Sequence, residues 1–572
     1  MNKIWLIIIL SFLMMGLLSV DFTRKIPFME YGPQPARRRI PLKLPSADVS
    51  RIIREKIFSG SASGNELSGN VRARPLLEVF YRKRNCRPAW SGYPGAAGRT
   101  EEFVEAIKKV HLEGLNSDYY HLGDIKSLRE RISKDGRAGR MSDPQEMADL
   151  DLFLTDAFLS LSCDFSSGCA NPILLRTGWN TVRNNRDVVS VLEKALKENR
   201  IEETLANLLP DQSKYSRLKR ALMFYREIDA KGGWKPVAPG PPLKKSERNG
   251  RVADLRERLI VSGDLYRGKS ERDLFDEELD RAVRKFQRRH GLKADGVVGP
   301  ATLGKLNVPV EERIRQIRVN LERLRWLLGG IGKRYIMVNI ADFKLDVVDD
   351  DRPVMSMKVV VGKPFWHTPI FSAKMTYLVI NPYWNVPESI AIKDVLPKIR
   401  KDADYLESEN MKVIRGWGEG EEIIDPVAID WSRVQEKTFG FRLRQEPCPQ
   451  NPLGRIKFMF PNKYNVYLHD SPARHLFDRE IRSFSHGCIR VEKALELAAF
   501  LLKGDPEWPE EKIIEEIETG VEQEFRLPEP INVHVVYLTA WVDEDGFIQF
   551  RDDIYGRDIE LATALDGQLF HK

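Results

Sequence analysis

His469 and Cys488 are the two residues whose types and surroundings could carry covalent chemistry. They lie in YLHDSPARHLFDREIRSFSHGCIRVEKALELAAFLL, residues 467–502. A thiolate is the nucleophilic form of cysteine, and a free thiol at neutral pH is mostly protonated, so activation calls for a base or a positive environment. Two histidines offer themselves. His486 stands two residues before Cys488 and on an extended strand would project on the same face; His469 reaches the thiol if the loop 470–484 folds back. Spacing leaves that choice open. The bland counterpart is a buried cysteine beside a structural histidine.

The elements around them follow from pattern. Arg455–Phe460 and Tyr464–Leu468 are apolar and aromatic runs separated by Pro461-Asn462-Lys463, which predicts two strands and puts His469 at a strand end. Leu495, Ala498, Ala499 and Leu502 have the spacing of a buried helical face. Cys488 is therefore expected just upstream of a helix N-terminus, where orphan N–H groups and the dipole favour a thiolate. Gly487 allows a tight turn and close approach of a ligand.

His469, fifteen intervening residues, then Ser485-His486-Gly487-Cys488-Ile489-Arg490 resembles the signature of the L,D-transpeptidases, the YkuD-type cysteine enzymes of bacterial peptidoglycan. The resemblance implies Cys488 as acylated nucleophile and His469 as general base, with the backbone carbonyl of Asp470 orienting it. A side-chain role for Asp470 would be new. Gly487 and Cys488 N–H groups would form the oxyanion hole, each donor contributing about 2.7–4 kcal/mol in acyl transfer. His486 has a supporting role in this reading, and Ser485, Arg490, Tyr467 and Trp384 are candidate substrate contacts.

At 572 residues the chain exceeds one core and predicts three or four units. With 42% hydrophobic and 30% charged residues the bulk is globular, and a net charge of +7 without a basic-aromatic groove argues against nucleic acid. Five cysteines, an odd count, leave at least one free thiol; Cys163 and Cys169 either pair or stay apart. No Cys/His cluster has zinc spacing, so no metal is expected. No phosphate or dinucleotide fingerprint appears, so neither is a cofactor. A serine-hydrolase elbow is also missing. Ile4–Val20 is an uncharged apolar run of seventeen residues, which as a helix spans about 25 Å against a bilayer core of about 30 Å. It reads as a signal peptide or membrane anchor, and the lack of an A-x-A-like site favours the anchor. Lys3 against Arg24, Lys25 and Arg37–Arg39 reverses the positive-inside pattern.

The expected fold class is multidomain: a helical scaffold, a small three-helix module, and a mainly-β catalytic domain with an inserted cap. Residues 1–20 are the apolar segment, 21–46 a proline-rich tether, and 47–233 a helical scaffold in which His111 and His121 read as surface or capping residues. The stretches YRKRNCRPAWSG and DLFLTDAFLSL resemble the scaffold of the large membrane-associated L,D-transpeptidases of Gram-negative bacteria. Gly232-Gly233-Trp234 and the following prolines predict a linker over 234–249. Residues 250–307 resemble a peptidoglycan-binding module, on Phe286, Gln287, Gly291, Leu292, Asp295, Gly296, Gly299, Thr302 and Leu306, with Phe286 and Leu306 as core. A helix over 308–333, stopped at Gly329-Gly330, returns to the scaffold. Catalytic residues 334–552 open with strands around Asp349-Asp350-Asp351 and place a cap at about 388–450. Ile531–Val542 and Phe547–Arg551 are expected to close the sheet, and 553–572 to be a tail.

The resemblance implies formation of 3–3 cross-links between meso-diaminopimelate residues of stem peptides through a Cys488 thioester, with loss of D-alanine. Water as acceptor would make an L,D-carboxypeptidase, a lipoprotein lysine would make an anchoring enzyme, and a silent Cys488 would leave a wall-binding scaffold. The partners so implied are peptidoglycan, the inner membrane through the N-terminal segment, carbapenems as inhibitors, and other cell-wall synthesis proteins as further candidates. The implied location is the periplasm, tethered to the inner membrane.

Overall fold

The computed structural model describes residues 46–567, apart from 59–70, 92–95, 139, 171, 173–185, 211, 269–270, 328–330, 351, 417, 436–438 and 504–507. The apolar segment 1–20 and nearly all of the tether, the Gly329-Gly330 stop and Asp351 of the expected turn lie outside the described residues.

The described residues between 46 and 230 are mainly helical. Their centre is α1 (Pro144–Ser167), started by Pro144 in its first turn and by the Asp143 carboxylate, which accepts the Gln145 N–H. Apolar residues occur all round α1, so it is buried on nearly every face. Buried carboxylates on it are matched rather than left bare. Asp151 takes the N–H groups of Ala89 and Trp90 and the Tyr81 hydroxyl, and Asp164 takes Arg72 and Tyr120. His121, expected as a surface or capping residue, does stand at the N-cap position of the helix Leu122–Arg137, but it is 6% exposed, with Nε2 2.8 Å from Asp156 Oδ2. The polar sequence around it did not disclose that α1 supplies a buried partner. Cys163 and Cys169 are not joined in a disulfide.

α2 (Ser213–Ala230) leads to a module of α3 (Gly250–Val261), α4 (Glu277–Arg289) and α5 (Pro300–Leu306). Phe286 and Leu306 sit in its core with Val252, Leu255 and Val283. The stretch 234–249, expected to be a free linker, contributes Val237 and Leu243 to that core, and Leu243 bridges Val298. The prolines bar a helix there but leave Leu243 N–H and C=O free for the bridge. Gln287 organises the Asp-Gly turn, its amide donating to Asp295, Val297 O and Thr302, and its oxygen accepting Gly296 N–H. α6 (Val310–Leu327) then packs on α2.

From Tyr335 the chain is mainly β. In order, β1 (Tyr335–Asn339), β2 (Lys344–Asp349), β3 (Arg352–Gly362), β4 (Phe371–Ile380), β5 (Trp384–Asn385), β6 (Met411–Arg415), β7 (Glu422–Ile424), β8 (Arg442–Gln445), β9 (Ile456–Met459), β10 (Leu468–His469), β11 (Ser483–Ser485), β12 (Ile489–Val491), β13 (Gln523–Val536), β14 (Ala540–Val542) and β15 (Ile548–Phe550) follow. The main sheet runs β11-β3-β12-β10-β9-β4-β13-β1-β2, and β2 also pairs with β3, which curls it into a barrel-like closure. α7 (Ala494–Leu502) covers it with an apolar face.

β5, β8, β6 and β7 form a separate sheet. With the helical run 388–408 it encloses its own core of Leu396, Leu406, Val413 and Leu443, so the insertion is a true subdomain. Two expectations are corrected here. β14 and β15 form their own hairpin rather than closing the main sheet, which β13 completes. The supposed tail carries α8 (Arg557–Leu565), packed on α6 through Leu561 and Leu565 and through the Arg323–Asp558 ion pair at 2.6 Å. Its apolar face needed a partner far away in sequence.

Candidate active site

Strand register gathers the site. β10 lies between β9 and β12, and His469 sits opposite Lys457 on one neighbour and Arg490 on the other. Side chains alternate along a strand, so Tyr467 and Cys488, two residues before His469 and Arg490 respectively, share the face of His469. The Tyr467 ring meets the His469 ring edge-on at 5.8 Å. Lys457 Nζ lies 4.3 Å from the centre of the Tyr467 ring.

His469 Nδ1 lies 2.6 Å from the backbone oxygen of Asp470. A carbonyl only accepts, so Nδ1 carries the hydrogen and Nε2 keeps its lone pair. Burial first, then the Arg490 charge, hold His469 down to about 3, with Lys457 adding to the effect. The imidazole is neutral at neutral pH. The Asp470 side chain has a role as well: its carboxylate accepts Arg455 N–H at 3.0 Å and pairs with Arg474 at 3.5 Å, which ties the β9 entry to the His469 loop.

Cys488 does not precede a helix. It leads directly into β12, and α7 begins only at Ala494, so no helix dipole bears on the thiol. Burial pushes the Cys488 thiol up; the Tyr467 N–H and hydroxyl, then Lys457 and Arg490, offset part of that. The resting pair is therefore neutral thiol and neutral imidazole. The thiol points to the Asn465 carbonyl at 3.9 Å and hydrogen-bonds with the Tyr467 hydroxyl. Among the described contacts no hydrogen bond joins it to His469.

The Ser-His-Gly-Cys turn is clamped from within. Ser485 Oγ donates to Cys488 O at 2.6 Å and accepts Gly487 N–H at 3.1 Å. Ser485 is 3% exposed, so its hydroxyl shapes the turn instead of meeting a substrate. The same bond corrects the oxyanion expectation for Gly487, whose N–H is turned inward onto Ser485. Gly487 has φ of +117°, open only to glycine.

His486 faces the cap. Its Nε2 lies 3.1 Å from Asp394 Oδ2, and its ring meets Trp366 at 5.4 Å. Lys393, beside Asp394, stands 5.5 Å from the Trp366 ring. Trp384 is not gathered with Cys488: it pairs with Gln445 in the cap sheet and packs on the cap core. Arg490 is mostly buried, and its Nε has no hydrogen-bond partner. Sequence reasoning missed Lys457, Trp366, Lys393 and Asp394. Lys457 is one lysine in an apolar strand, a pattern that could have marked an inward charge; the others carry no local signal. Among the described residues no group of three or more His, Cys, Asp or Glu could hold a metal.

A thiol, a neutral imidazole and two half-buried cations thus share one face of a curled sheet. Residues 333–509 match the L,D-transpeptidase catalytic domain, YkuD. Residues 75–222 match the scaffold domain, and 248–306 a putative peptidoglycan binding domain. The chain thus carries, in order, regions that match a scaffold domain, a peptidoglycan-binding domain and an L,D-transpeptidase catalytic domain. It is 35% identical over 250 residues to a putative L,D-transpeptidase of Haemophilus influenzae, covering 44% of this chain and 49% of the relative. The chain therefore spans about half the length of that curated relative. It is also 39% identical over 71 residues to the N-acetylmuramoyl-L-alanine amidase CwlM of Mycobacterium tuberculosis, 11% of this chain and 18% of that protein. Among solved structures, an L,D-transpeptidase from Stackebrandtia nassauensis aligns with 53% of this chain and 97% of its own at 14% identity and a TM-score of 0.20.

Proposed function

We propose that the protein forms 3–3 cross-links in peptidoglycan through a thioester on Cys488. The observation that carries this reading is the shared face of His469, Tyr467, Cys488, Lys457 and Arg490 across β9, β10 and β12. The donor is a stem tetrapeptide, and the reacting carbonyl belongs to the L-centre of its meso-diaminopimelate.

Rotation of Cys488 about its Cα–Cβ bond turns the thiol from Asn465 toward His469. His469 Nε2 takes the S–H proton as sulfur bonds to the carbonyl carbon; a proton acceptor that is neutral at rest suits a thiol held protonated by burial. The tetrahedral intermediate collapses, the C–N bond to D-alanine breaks, and the imidazolium returns its proton to the departing amine. The side-chain amine of a second diaminopimelate then attacks the thioester and gives His469 a proton, and sulfur leaves and takes it back. The Tyr467 hydroxyl, already beside the sulfur, is placed to donate to the developing oxyanion. Arg490 and Lys457 complement the carboxylates of the stem peptide. The cap touches His486 beside the Cys488 turn, and exclusion of water by it would favour an amine acceptor.

The protein works in the periplasm, held to the inner membrane by residues 1–20, with the 248–306 module on the wall. Carbapenems acylate Cys488 in this reading. The test is intact-mass measurement of the full chain with meropenem, wild type against Cys488→Ala, then incubation with disaccharide-tetrapeptides. A drug adduct absent from the variant, with a cross-linked dimer lacking one D-alanine, is the expected result. Tripeptide alone would mean a carboxypeptidase, and neither product from folded protein would overturn the enzyme reading.

A further inference from the structure

The turn bearing Cys488 is also held by Thr368, and the loop that carries Thr368 is held by Tyr555, which lies outside the matched catalytic region. Thr368 Oγ1 donates to Gly487 O at 2.9 Å and accepts Gly362 N–H at 2.9 Å. The loop from Gly362 to Thr368 is closed by Tyr555, whose hydroxyl donates to Gly362 O at 2.6 Å and accepts Thr368 N–H at 3.3 Å. Gly362 leaves this loop no slack, because a Cβ there would lie 1.9 Å from Trp366 O.

Tyr555 is itself braced. Its ring stacks on His367 at 4.2 Å and on Tyr537 at 5.6 Å, and the Arg557 guanidinium stands 5.0 Å from its centre. Its N–H donates to the Tyr537 hydroxyl at 2.9 Å, which donates to Asp553 at 2.7 Å. Asp553 caps the start of α8 by accepting the N–H groups of Arg557 and Asp558 at 2.8 Å each. Asp558 in turn holds Arg323 of α6 at 2.6 Å and Thr539 at 2.7 Å. A continuous polar chain thus runs from α6, the helix packed on the scaffold, to the carbonyl that precedes Cys488.

We infer that Tyr555 is a positioning residue for the reaction at Cys488, acting through Thr368 on the Gly487 carbonyl and so on the direction of the thiol. Gly487 is the pivot of the turn, at a φ that only glycine adopts freely, so a carbonyl without its Thr368 bond leaves Cys488 free to swing. The hydroxyl of Tyr555 makes two bonds to the loop, while its ring makes separate stacking contacts, so removing the hydroxyl alone separates positioning from packing. The inference rests on the transpeptidase reading for its assay, not for its geometry.

The test compares the full-length wild type with Tyr555→Phe, Thr368→Val, Thr368→Ser and Cys488→Ala. Acylation by a tetrapeptide donor is followed by intact mass, and melting temperature is read alongside. Tyr555→Phe and Thr368→Val are expected to lower the maximal acylation rate about tenfold, which is about 1.4 kcal/mol of barrier. The half-saturating donor concentration stays within twofold, and Thr368→Ser restores the rate. Tyr555→Phe acylating at the wild-type rate, or Thr368→Ser as slow as Thr368→Val, overturns the inference. Should Tyr555→Phe fail to fold, the two Thr368 variants decide. Should the wild type itself take no donor, the transpeptidase reading fails, and the pH profile of Cys488 alkylation by iodoacetamide decides instead. A displaced profile in Tyr555→Phe supports positioning, and superimposable profiles overturn it.

Discussion

Replacing Arg490 by methionine should give Cys488 acylation an acid limb that the wild type lacks. His469 is held down to about 3 by burial and, next, by Arg490. The two face each other on paired strands, and a neighbouring unit charge at an effective dielectric of about 20 acts with about 2–4 kcal/mol. Removing it makes protonation of His469 at least about 30-fold easier, still short of an ordinary histidine because the burial is untouched. In the wild type, lowering the pH from 7.5 to 4.5 leaves the base neutral and the rate nearly flat, since the thiol is protonated throughout that range. In Arg490→Met the rate falls over the lower part of the range. The assay is single-turnover acylation by intact mass at constant ionic strength, taken as the ratio of rates at pH 4.5 and 7.5, which cancels any pH-independent loss of binding. A wild-type rate that halves near pH 6.5, or a variant ratio equal to that of the wild type, would refute the account of His469.

Acid should also unfold the protein. A buried histidine with a depressed pKa binds its proton more readily in the unfolded chain, so stability falls as pH drops below about 6.5; His469 alone accounts for about 2 kcal/mol between pH 6.5 and 5, with His290 acting in the same direction. Urea midpoints at the two pH values check this, and no shift would contradict it. Gly362→Ala drives a Cβ into Trp366 O and should cost more than about 3 kcal/mol or prevent folding, read from soluble yield and melting temperature. Asp394→Asn weakens a part-exposed contact between cap and His486 that holds about 0–1 kcal/mol. Hydrogen exchange in 391–395 should therefore quicken by at most about fivefold, and a hundredfold change would mean a far stronger latch. Denatured, unreduced protein should titrate five thiols, since none of the five cysteines is in a disulfide; three would mean a disulfide.

The strand that brings up His469, the apolar helix after the Ser-His-Gly-Cys turn, and the Phe286–Leu306 core could all be read from local spacing. Each is a short-range pattern of apolar residues against turn residues. Boundaries set by long-range contact could not. Val237 and Leu243 sit in a proline-rich stretch that resembles a linker, and only Asn307 and Val298, across the module, draw them in. The short strand β12 after Cys488 is three residues long, too brief for a period to show, and its omission produced the mistaken helix dipole at the thiol.

By itself the sequence determined which residue types could react and which stretches were helix or strand, because those depend on side-chain chemistry and on a period of two or 3.6. Tertiary structure alone decided that Lys457 and Arg490 flank His469, that Ser485 closes the turn, that Asp394 of the cap meets His486, and that Tyr555 closes the loop from Gly362 to Thr368. The first is a matter of strand register, which a one-residue slip would abolish. The contact between Tyr555 and Gly362 joins residues 193 apart in the chain, and such a pairing exists only once the sheet has curled and α8 has docked on α6.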